Sequence, residues 1–337
     1  MITAALTANA WRPVPGFRIG AWAFVPGWWA GELAPQLLAA TVADTAVSVV
    51  RRKATLPGLA LAAATTYGLV RLIRRSTDVR VLVDGCIDRD LGAELAADLD
   101  PITPEELATP WSSLMMPFRR SDPRVRVDRD VRYSDAGRRG LLDVYRPLRR
   151  DVTDAPVLLQ VHGGGWVLGS KDEQGVPLMN EMAAHGWVCV SMNYRLANRD
   201  PWPAQIIDVK RVIAWVREHI ADYGGDPSYV VITGGSAGGH LAALAALTPN
   251  DPAFQPGFED ADTTVQAAVP HYGVYDIAGT TGTRSAVYIR DEFFGPKVMR
   301  QTYAEAPELF EAASPLLRVT EDAPDFFIIH GASDTLV

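Results

Sequence analysis

Gly234-Gly235-Ser236-Ala237-Gly238 is the stretch that decides the fold of this 337-residue chain. An apolar run at residues 229–233 precedes it, and a helix-like run from residue 237 to 247 follows it. A strand, a sharp turn and a helix in this order match the G-x-S-x-G elbow, in which small residues let the chain reverse and expose the serine oxygen. We therefore predict that Ser236 is a nucleophile on a strained turn, as in serine hydrolases.

A second glycine-rich stretch, His162-Gly163-Gly164-Gly165-Trp166, follows the apolar run at residues 157–161. Attack on a carbonyl carbon builds negative charge on its oxygen, and fixed backbone N–H groups stabilise that charge. We expect this loop to supply such groups, with the N–H of Ala237 as the partner donor. His162 is then expected to orient the loop rather than to act as a base. A plain glycine-rich turn after a strand is the alternative interpretation.

The candidate acid is Asp334, which follows a late apolar run at residues 326–329. This position fits the chain order serine, acid, histidine. A loop aspartate that caps a helix is the alternative, and Asp276 is a rival acid because it also lies just past a predicted strand. The chain has six histidines, at positions 162, 185, 219, 240, 271 and 330. Because none follows Asp334, the sequence leaves the catalytic base unassigned.

From residue 156 onward, predicted strands and helices alternate along the chain. The predicted strands lie at residues 157–161, 187–192, 229–233, 265–269 and 326–329. Apolar residues between Ile206 and Ile220 recur at spacings of three and four, which predicts an amphipathic helix. The pattern predicts an α/β fold with a doubly wound, mainly parallel sheet whose chemistry lies at the carboxyl ends of its strands.

Residues 119–150 precede this alternating region and contain eleven arginines and five aspartates. Apolar residues lie among these charges on both sides of a turn at Asp135-Ala136-Gly137. We predict a pair of strands whose charges are solvated and protect the edge of the sheet.

The N-terminal part has a different composition. Residues 19–50 contain three tryptophans and only two charges, Glu32 and Asp44, and Arg51-Arg52-Lys53 follow. Residues 54–70 are uncharged and would reach about 25 Å as a helix, which is short of the ~30 Å hydrocarbon core of a bilayer. Three interpretations remain open: a helical hairpin packed on or dipping into a membrane, a spanning helix, and two buried helices covering an apolar substrate pocket. Residues 98–117, with four prolines, read as a linker.

Bulk composition limits the possible partners and location. A net charge of −8 argues against nucleic-acid binding. Cys86 and Cys189 have no companions at metal-ligand spacing, and the glycine loops do not match a phosphate cradle, so we expect neither a metal nor a cofactor. Residues 1–10 contain no lysine or arginine, which argues against a cleaved signal peptide. We expect a cytoplasmic or membrane-associated protein.

Residues 162–166, 234–239, 272–276 and 330–337 resemble the α/β-hydrolase carboxylesterases of the bacterial hormone-sensitive-lipase-like group. The whole chain is similar to the actinobacterial lipases and esterases of the LipC type. The resemblance implies ester hydrolysis through an acyl-enzyme, with Ser236 as nucleophile and Asp334 as acid. It also implies oxyanion donors at Gly163, Gly164 and Ala237.

In that family the base is a histidine in the loop after one further strand, past the acid. The chain ends at Val337 before such a strand, loop and last helix. The resemblance therefore implies an N-terminal hydrophobic helical region and linker at residues 1–110 and a C-terminally incomplete hydrolase domain at residues 111–337. We expect impaired activity from this chain, because removing the base removes most of the rate acceleration.

Two other functions stay open from the sequence. A peptidase or amidase could use the same fold, since fold alone does not settle the reaction. A noncatalytic hydrolase-like protein that binds a ligand or a membrane is the other alternative. The intact serine elbow and the glycine loop favour an enzyme that acts on a small-molecule or lipid ester.

Overall fold

The computed structural model describes residues 1–14, 17–98, 108, 111–115, 120–148 and 152–336. Apart from the last two residues, the chain forms two compact units, Met1–Arg119 and Arg120–Thr335. The boundary expected at residue 110 lies outside the described residues and stays a prediction. Most of the predicted linker at residues 98–117 lies outside the described residues.

The second unit is built on one seven-stranded sheet with the order β1-β2-β4-β3-β5-β6-β7. The strands are β1 (Val125–Arg132), β2 (Leu141–Pro147), β3 (Ala155–Val161), β4 (Val188–Met192), β5 (Gly225–Gly235), β6 (Ala267–His271) and β7 (Asp325–Phe326). β1 and β2 pair antiparallel, β2 pairs antiparallel with β4, and every other neighbouring pair is parallel. The predicted mainly parallel sheet is confirmed, with the arginine-rich pair of strands at one edge.

The first unit contains five α-helices, within the residues the structure describes, and the second unit five more. Those of the first unit are α1 (Ile2–Trp11), α2 (Phe17–Glu32), α3 (Ala34–Val50), α4 (Leu56–Asp98) and α5 (Trp111–Met115). Those of the second unit are α6 (Val176–Ala184), α7 (Ala204–His219), α8 (Ala237–Leu247), α9 (Arg284–Tyr288) and α10 (Pro307–Ala312). Short 3₁₀ turns lie at Gly137–Gly140, Ile220–Tyr223, Pro252–Phe254 and Pro315–Arg318, and a π-helix spans Ile289–Met299.

The central strands of the sheet are buried, as their continuous apolar sequences require. Every residue of β4 is buried, and so are most residues of β3. α6 packs on β2 and β4, whereas α8 packs on β3, β5 and β6. Cys189 is fully buried in the cluster between the sheet and α6, which also contains Met179 and Leu158.

Register brings the predicted motifs to one edge of the sheet. Val161 pairs with Gly234, Gly235 pairs with His271, and His271 forms a bridge with Ile329. The glycine loop after β3, the serine turn after β5 and the loop that follows Ile329 therefore leave neighbouring strands at the same level. This is the carboxyl end of the parallel strands, where chemistry was predicted.

One helix of the first unit extends well beyond the uncharged stretch at residues 54–70. α4 has 43 residues and continues through Arg71, Arg74 and Arg75, with a break in helical geometry at Gly92. Arginines are good helix formers, so they do not stop this helix. By length and composition, residues 56–90 could cross a membrane, and so could residues 22–50 if the pair of helices bent by 79° counts as one span.

Candidate active site

Ser236 lies on a strained turn between β5 and α8. Its backbone has φ 56° and ψ −120°, a conformation that costs a non-glycine residue about 1–3 kcal/mol and is concentrated at functional sites. The backbone N–H donates to the carbonyl oxygen of His271 at 3.0 Å, and the Ser236 carbonyl accepts from the N–H of His240 at 2.9 Å. The side chain is partly exposed, and its hydroxyl has no hydrogen bond within the described part of the chain. The oxygen is therefore held in place and left available.

Gly238 allows this turn to approach β3. A Cβ atom at Gly238 would lie 2.2 Å from the carbonyl oxygen of Val161 and 2.7 Å from that of His162. A Cβ at Gly234 would likewise lie 2.6 Å from the Val161 oxygen. The motif has glycine at these two positions because any side chain would push the elbow away from the neighbouring strand.

The glycine loop after β3 meets the serine turn directly. A Cβ at Gly163 would lie 3.4 Å from the Cβ of Ser236. However, the Gly163 N–H donates to Oε1 of Gln174 at 2.7 Å. That amide is engaged by an exposed side chain in this structure. The expected role of Gly163 as an oxyanion donor stays a prediction.

The next two residues of the loop, Gly164 and Gly165, have backbone N–H groups that are available to donate a hydrogen bond to a substrate oxygen. Gly164 has φ +118° and Gly165 has φ +58°, and a Cβ at Gly164 would lie 2.2 Å from the carbonyl oxygen of Leu168. Within the described ranges, no hydrogen bond engages the N–H of Gly164, Gly165 or Ala237. Gly164 and Ala237 thus remain candidate donors. Gly165 joins them, although the family resemblance implies only Gly163, Gly164 and Ala237.

His162 is part of the support of this loop. The ring is buried and stacks on Tyr194 with centroids 4.1 Å apart, while the Tyr194 hydroxyl donates to the His162 carbonyl oxygen at 2.9 Å. Nδ1 lies 2.8 Å from the Gly163 carbonyl oxygen. Burial lowers the pKa of His162 to about 4, so the ring is neutral near pH 7. A neutral ring with Nδ1 protonated donates to that carbonyl, which fits the predicted loop-orienting role.

His240, one turn into α8, is also buried and neutral. The indole Nε1–H of Trp166 donates to its Nδ1 at 3.1 Å, and its Nε2 lies 2.7 Å from the carbonyl oxygen of Ala313. Burial lowers the pKa of His240 to about 4. The ring contacts Trp166, Trp202 and Phe294, so it belongs to an aromatic core beneath the site. Both ring nitrogens are used, which excludes His240 as a base for Ser236.

Asp334 lies in the loop after Ile329, two strands along the sheet edge from Ser236. Its N–H donates to the Gly331 carbonyl oxygen at 3.0 Å, and its carboxylate lies 3.8 Å from Nε2 of His330. The carboxylate is therefore already close to one imidazole. The role of Asp334 as the acid stays a prediction.

Asp276, the rival acid, has a different role in the structure. One carboxylate oxygen accepts from the backbone and hydroxyl of Thr280, and the other from those of Thr281. Although burial opposes ionisation, these four hydrogen bonds lower the pKa of Asp276. The Asp276 carboxylate thus caps the turn that follows it. A capping role, which the sequence leaves open as the alternative for Asp334, therefore describes Asp276.

The remaining histidines lie on two helix surfaces and at one strand end. His185 lies 3.5 Å from Glu181, and His219 lies 3.6 Å from Glu218. His271 ends β6 and is partly buried, and this burial lowers its pKa. No cluster of three or more acidic, histidine or cysteine side chains that could hold a metal ion occurs among the residues described.

Comparison with known proteins gives the family. Residues 142–337 match the BD-FAE family. Esterase LipQ of Mycobacterium tuberculosis is 54% identical over 213 residues, which cover 62% of this chain and 49% of LipQ. The probable carboxylic ester hydrolase LipM of the same organism is 40% identical over 346 residues, which cover 100% of this chain and 79% of LipM. The chain thus spans about half the length of LipQ and most of LipM.

A solved structure supports the fold. A truncated carbohydrate esterase from gut microbiota matches with a TM-score of 0.51 and 28% identity, over 63% of this chain and 79% of that protein. The predicted resemblance to α/β-hydrolase carboxylesterases is confirmed by these comparisons. The chain belongs to the BD-FAE family and has the α/β-hydrolase fold.

Proposed function

We propose that this protein is a serine carboxylic ester hydrolase that works through an acyl-enzyme. The observation on which this rests is Ser236 itself, a partly exposed serine at φ 56° whose turn abuts the glycine loop. The similarity to LipQ and LipM, which are named as an esterase and a probable carboxylic ester hydrolase, supports the same reaction class.

In the proposed reaction, the Ser236 oxygen bonds to the acyl carbon of the ester. The negative charge that develops on the former carbonyl oxygen is stabilised by the N–H groups of Ala237 and Gly164, with Gly165 as a further donor. The bond to the alcohol oxygen then breaks, and the alcohol leaves with the proton that came from the serine. Water cleaves the acyl-serine bond, which releases the carboxylic acid and restores the hydroxyl.

Asp334 is the proposed acid that orients a histidine and stabilises its charged form. The histidine that takes the serine proton stays unassigned, because both ring nitrogens of His240 are engaged and His162 is buried with its Nδ1 on the Gly163 carbonyl. Activity of this chain is accordingly expected to be low. Oxyanion stabilisation and binding alone leave a residual rate of about 10³–10⁴ over water in enzymes that lack a triad member.

The proposed substrate is a small-molecule or lipid ester. A Cβ at Gly165 would lie 3.0 Å from the ring of Phe293, which projects from the π-helix Ile289–Met299 and is partly buried. An aromatic ring at this position favours an apolar acyl group next to the oxyanion loop. π-helical segments occur frequently at functional sites.

Association with a membrane through residues 19–75 is the second part of the proposal. Trp22, Trp28 and Trp29 are exposed in the first unit, and aromatic side chains of this kind favour the interface of a bilayer. Flotation of the full chain with lipid vesicles tests this part independently of catalysis. Recovery of the protein only in the lipid-free fraction would contradict it.

Hydrolysis of p-nitrophenyl acetate and butyrate by the full chain tests the reaction. Ser236→Ala is expected to abolish hydrolysis, whereas Ser228→Ala, an exposed serine on the same strand, is expected to leave it unchanged. Because the base that Asp334 would orient is unassigned, Asp334→Asn and Asp276→Asn are both expected to change this low rate by less than tenfold. Equal rates for wild type and Ser236→Ala would reject the proposal.

A further inference from the structure

The turn between α3 and α4 forms a tip, defined here as residues 49–56. Val50 is 82% exposed and Leu56 is 85% exposed, so two large apolar side chains face solvent. Arg51, Arg52 and Lys53 lie between them and are also exposed. In the part of the chain that the structure describes, none of these three cations forms an ion pair. The tip therefore presents three free positive charges flanked by apolar side chains.

The backbone of the tip is well defined. Arg52 has φ 53°, and the N–H groups of Lys53 and Ala54 both donate to the carbonyl oxygen of Ser48, at 2.9 and 3.2 Å. At the start of α4, the N–H of Gly58 donates to Oγ1 of Thr55 at 3.3 Å. These hydrogen bonds close the end of α3 and the beginning of α4. The tip is thus preorganised, and binding through it does not require a loop to become ordered.

The charge of the tip contrasts with that of the whole chain. The protein has a net charge of −8, so an anionic surface repels most of it. The tip carries +3, and Asp44 is the nearest acid along α3. An approach with the tip first is therefore favourable. The exposed valine and leucine require an apolar phase behind the negative charges, which a lipid bilayer provides and a nucleic acid does not.

We propose that the tip inserts into the headgroup region of an anionic lipid bilayer, with the charged ends of the three cations reaching the phosphates and Val50 and Leu56 beside them in contact with the acyl chains. This inference deepens the proposed membrane association and rests on it, but it is independent of ester hydrolysis. It names the inserting element, the lipid charge and the depth.

Asp44 limits how deeply the tip can insert into the bilayer. It lies six residues before Val50 on α3, which is about 9 Å along the helix axis. Deeper insertion would bring its carboxylate into hydrocarbon, where an unpaired charge is strongly disfavoured. Insertion by about 5–10 Å is typical of segments that lie at the interface. The hairpin of α3 and α4 therefore anchors the protein at one leaflet and does not span the bilayer.

Vesicle flotation of the full chain tests the lipid charge. The protein is expected to float with vesicles of phosphatidylcholine and phosphatidylglycerol at 7:3 and much less with phosphatidylcholine alone. Each cation near an anionic surface contributes about fivefold to binding, so R51Q/R52Q/K53Q is expected to lower the partition coefficient about 100-fold. The matched control is R199Q/R284Q/K297Q, which removes the same charge from exposed sites of the second unit and is expected to bind like wild type.

Two results of this experiment overturn the inference. If wild type binds and the tip variant binds equally well, the protein associates with membranes through another element. If wild type floats with neither kind of vesicle, both the inference and the proposed membrane association fail. Hydrolysis of p-nitrophenyl acetate, measured on the same samples, is expected to be unchanged in the tip variant and confirms that it is folded.

A fluorescent depth probe tests the geometry. Cysteine is introduced at Leu56 or at Val42 in a Cys86→Ser background, where Cys189 is fully buried and protected from labelling. With an NBD label and anionic vesicles, the probe at 56 is expected to shift to the blue and the probe at 42, beyond Asp44, to stay at its aqueous wavelength. A blue shift at both positions would show that the hairpin crosses the bilayer and would overturn the proposed depth.

Discussion

Replacement of Gly238 by alanine is the sharpest test of how the serine turn is built. Gly238 is the second residue of α8, and alanine normally stabilises a helix by about 1 kcal/mol relative to glycine. Here the added Cβ would lie 2.2 Å from the Val161 carbonyl oxygen, about 1 Å closer than the ~3.3 Å at which carbon and oxygen pack. The local preference and the tertiary contact therefore act in opposite directions.

The magnitude follows from these two effects. Overpacking costs about 1–3 kcal/mol, and the upper end applies because the atoms in the way belong to backbone on both sides. After subtraction of the helix preference, Gly238→Ala is expected to lower the free energy of unfolding by about 2 kcal/mol. A shift of about 1 Å between the elbow and the glycine loop is also expected to lower ester hydrolysis about 100-fold.

Urea unfolding followed by circular dichroism measures the effect, with Gly85→Ala as the matched control. Gly85 lies in α4, and a Cβ there would meet nothing within 4 Å. Gly85→Ala is expected to raise the unfolding midpoint slightly and Gly238→Ala to lower it. If both substitutions stabilise the protein, the close approach of the elbow to β3 is not what the glycine provides.

Three further predictions concern hydrogen-bonded polar groups. Gln174→Leu leaves the Gly163 N–H without its partner; because Gln174 is exposed, we expect a loss of about 0.5–1.5 kcal/mol in stability and a lower kcat, whereas Gln174→Glu keeps an acceptor and most of the activity. Equal kcat values for the leucine variant and wild type would contradict this role. Burial lowers the pKa of His240 to about 4, so the unfolded chain binds more protons than the folded chain between pH 6.5 and 4, and this ring is expected to lower stability by about 1.4 kcal/mol per pH unit across that window, in addition to a similar contribution from His162. His240→Gln should make that fall shallower in urea unfolding, and an unchanged slope would count against a neutral buried ring. Burial also lowers the pKa of Lys210 to about 7, so the unfolded chain binds more protons between pH 7 and 10.5 and stability is expected to rise with pH across that window. Lys210→Met should remove about 1.4 kcal/mol per pH unit of this rise, and identical pH dependence in the two proteins would refute it.

The strand, the turn and the helix of the serine motif were predictable because each is defined by residues that are neighbours in the sequence. Continuous apolar residues define β5, glycines define the turn, and the helix-like run at residues 237–247 has the bounds of α8. The ends of the strands differ from the predicted ends. β5 begins at Gly225, four residues before the predicted start, and β7 covers only Asp325 and Phe326. The first and last residues of a strand depend on where its hydrogen bonds to a neighbouring strand begin and end. The sequence of one strand does not contain the position of its neighbour.

The partners of the site were not predictable in the same way. Gln174 lies eleven residues after Gly163 and reaches its amide only because the intervening loop folds back. Trp166 and His240 are separated by 74 residues and meet through the packing of α8 on the sheet. Neither contact leaves a local pattern. The motif identified the glycine loop, but only the structure showed which of its amides is already engaged.

Mass spectrometry of the full chain after reaction with a fluorophosphonate tests the central claim most directly, because the reagent bonds covalently to an activated serine oxygen. We expect one adduct, on Ser236, that is absent from Ser236→Ala and present in Ser228→Ala. An adduct on a different serine, or a folded protein that stays unmodified at every serine, would contradict the proposal that Ser236 is the nucleophile.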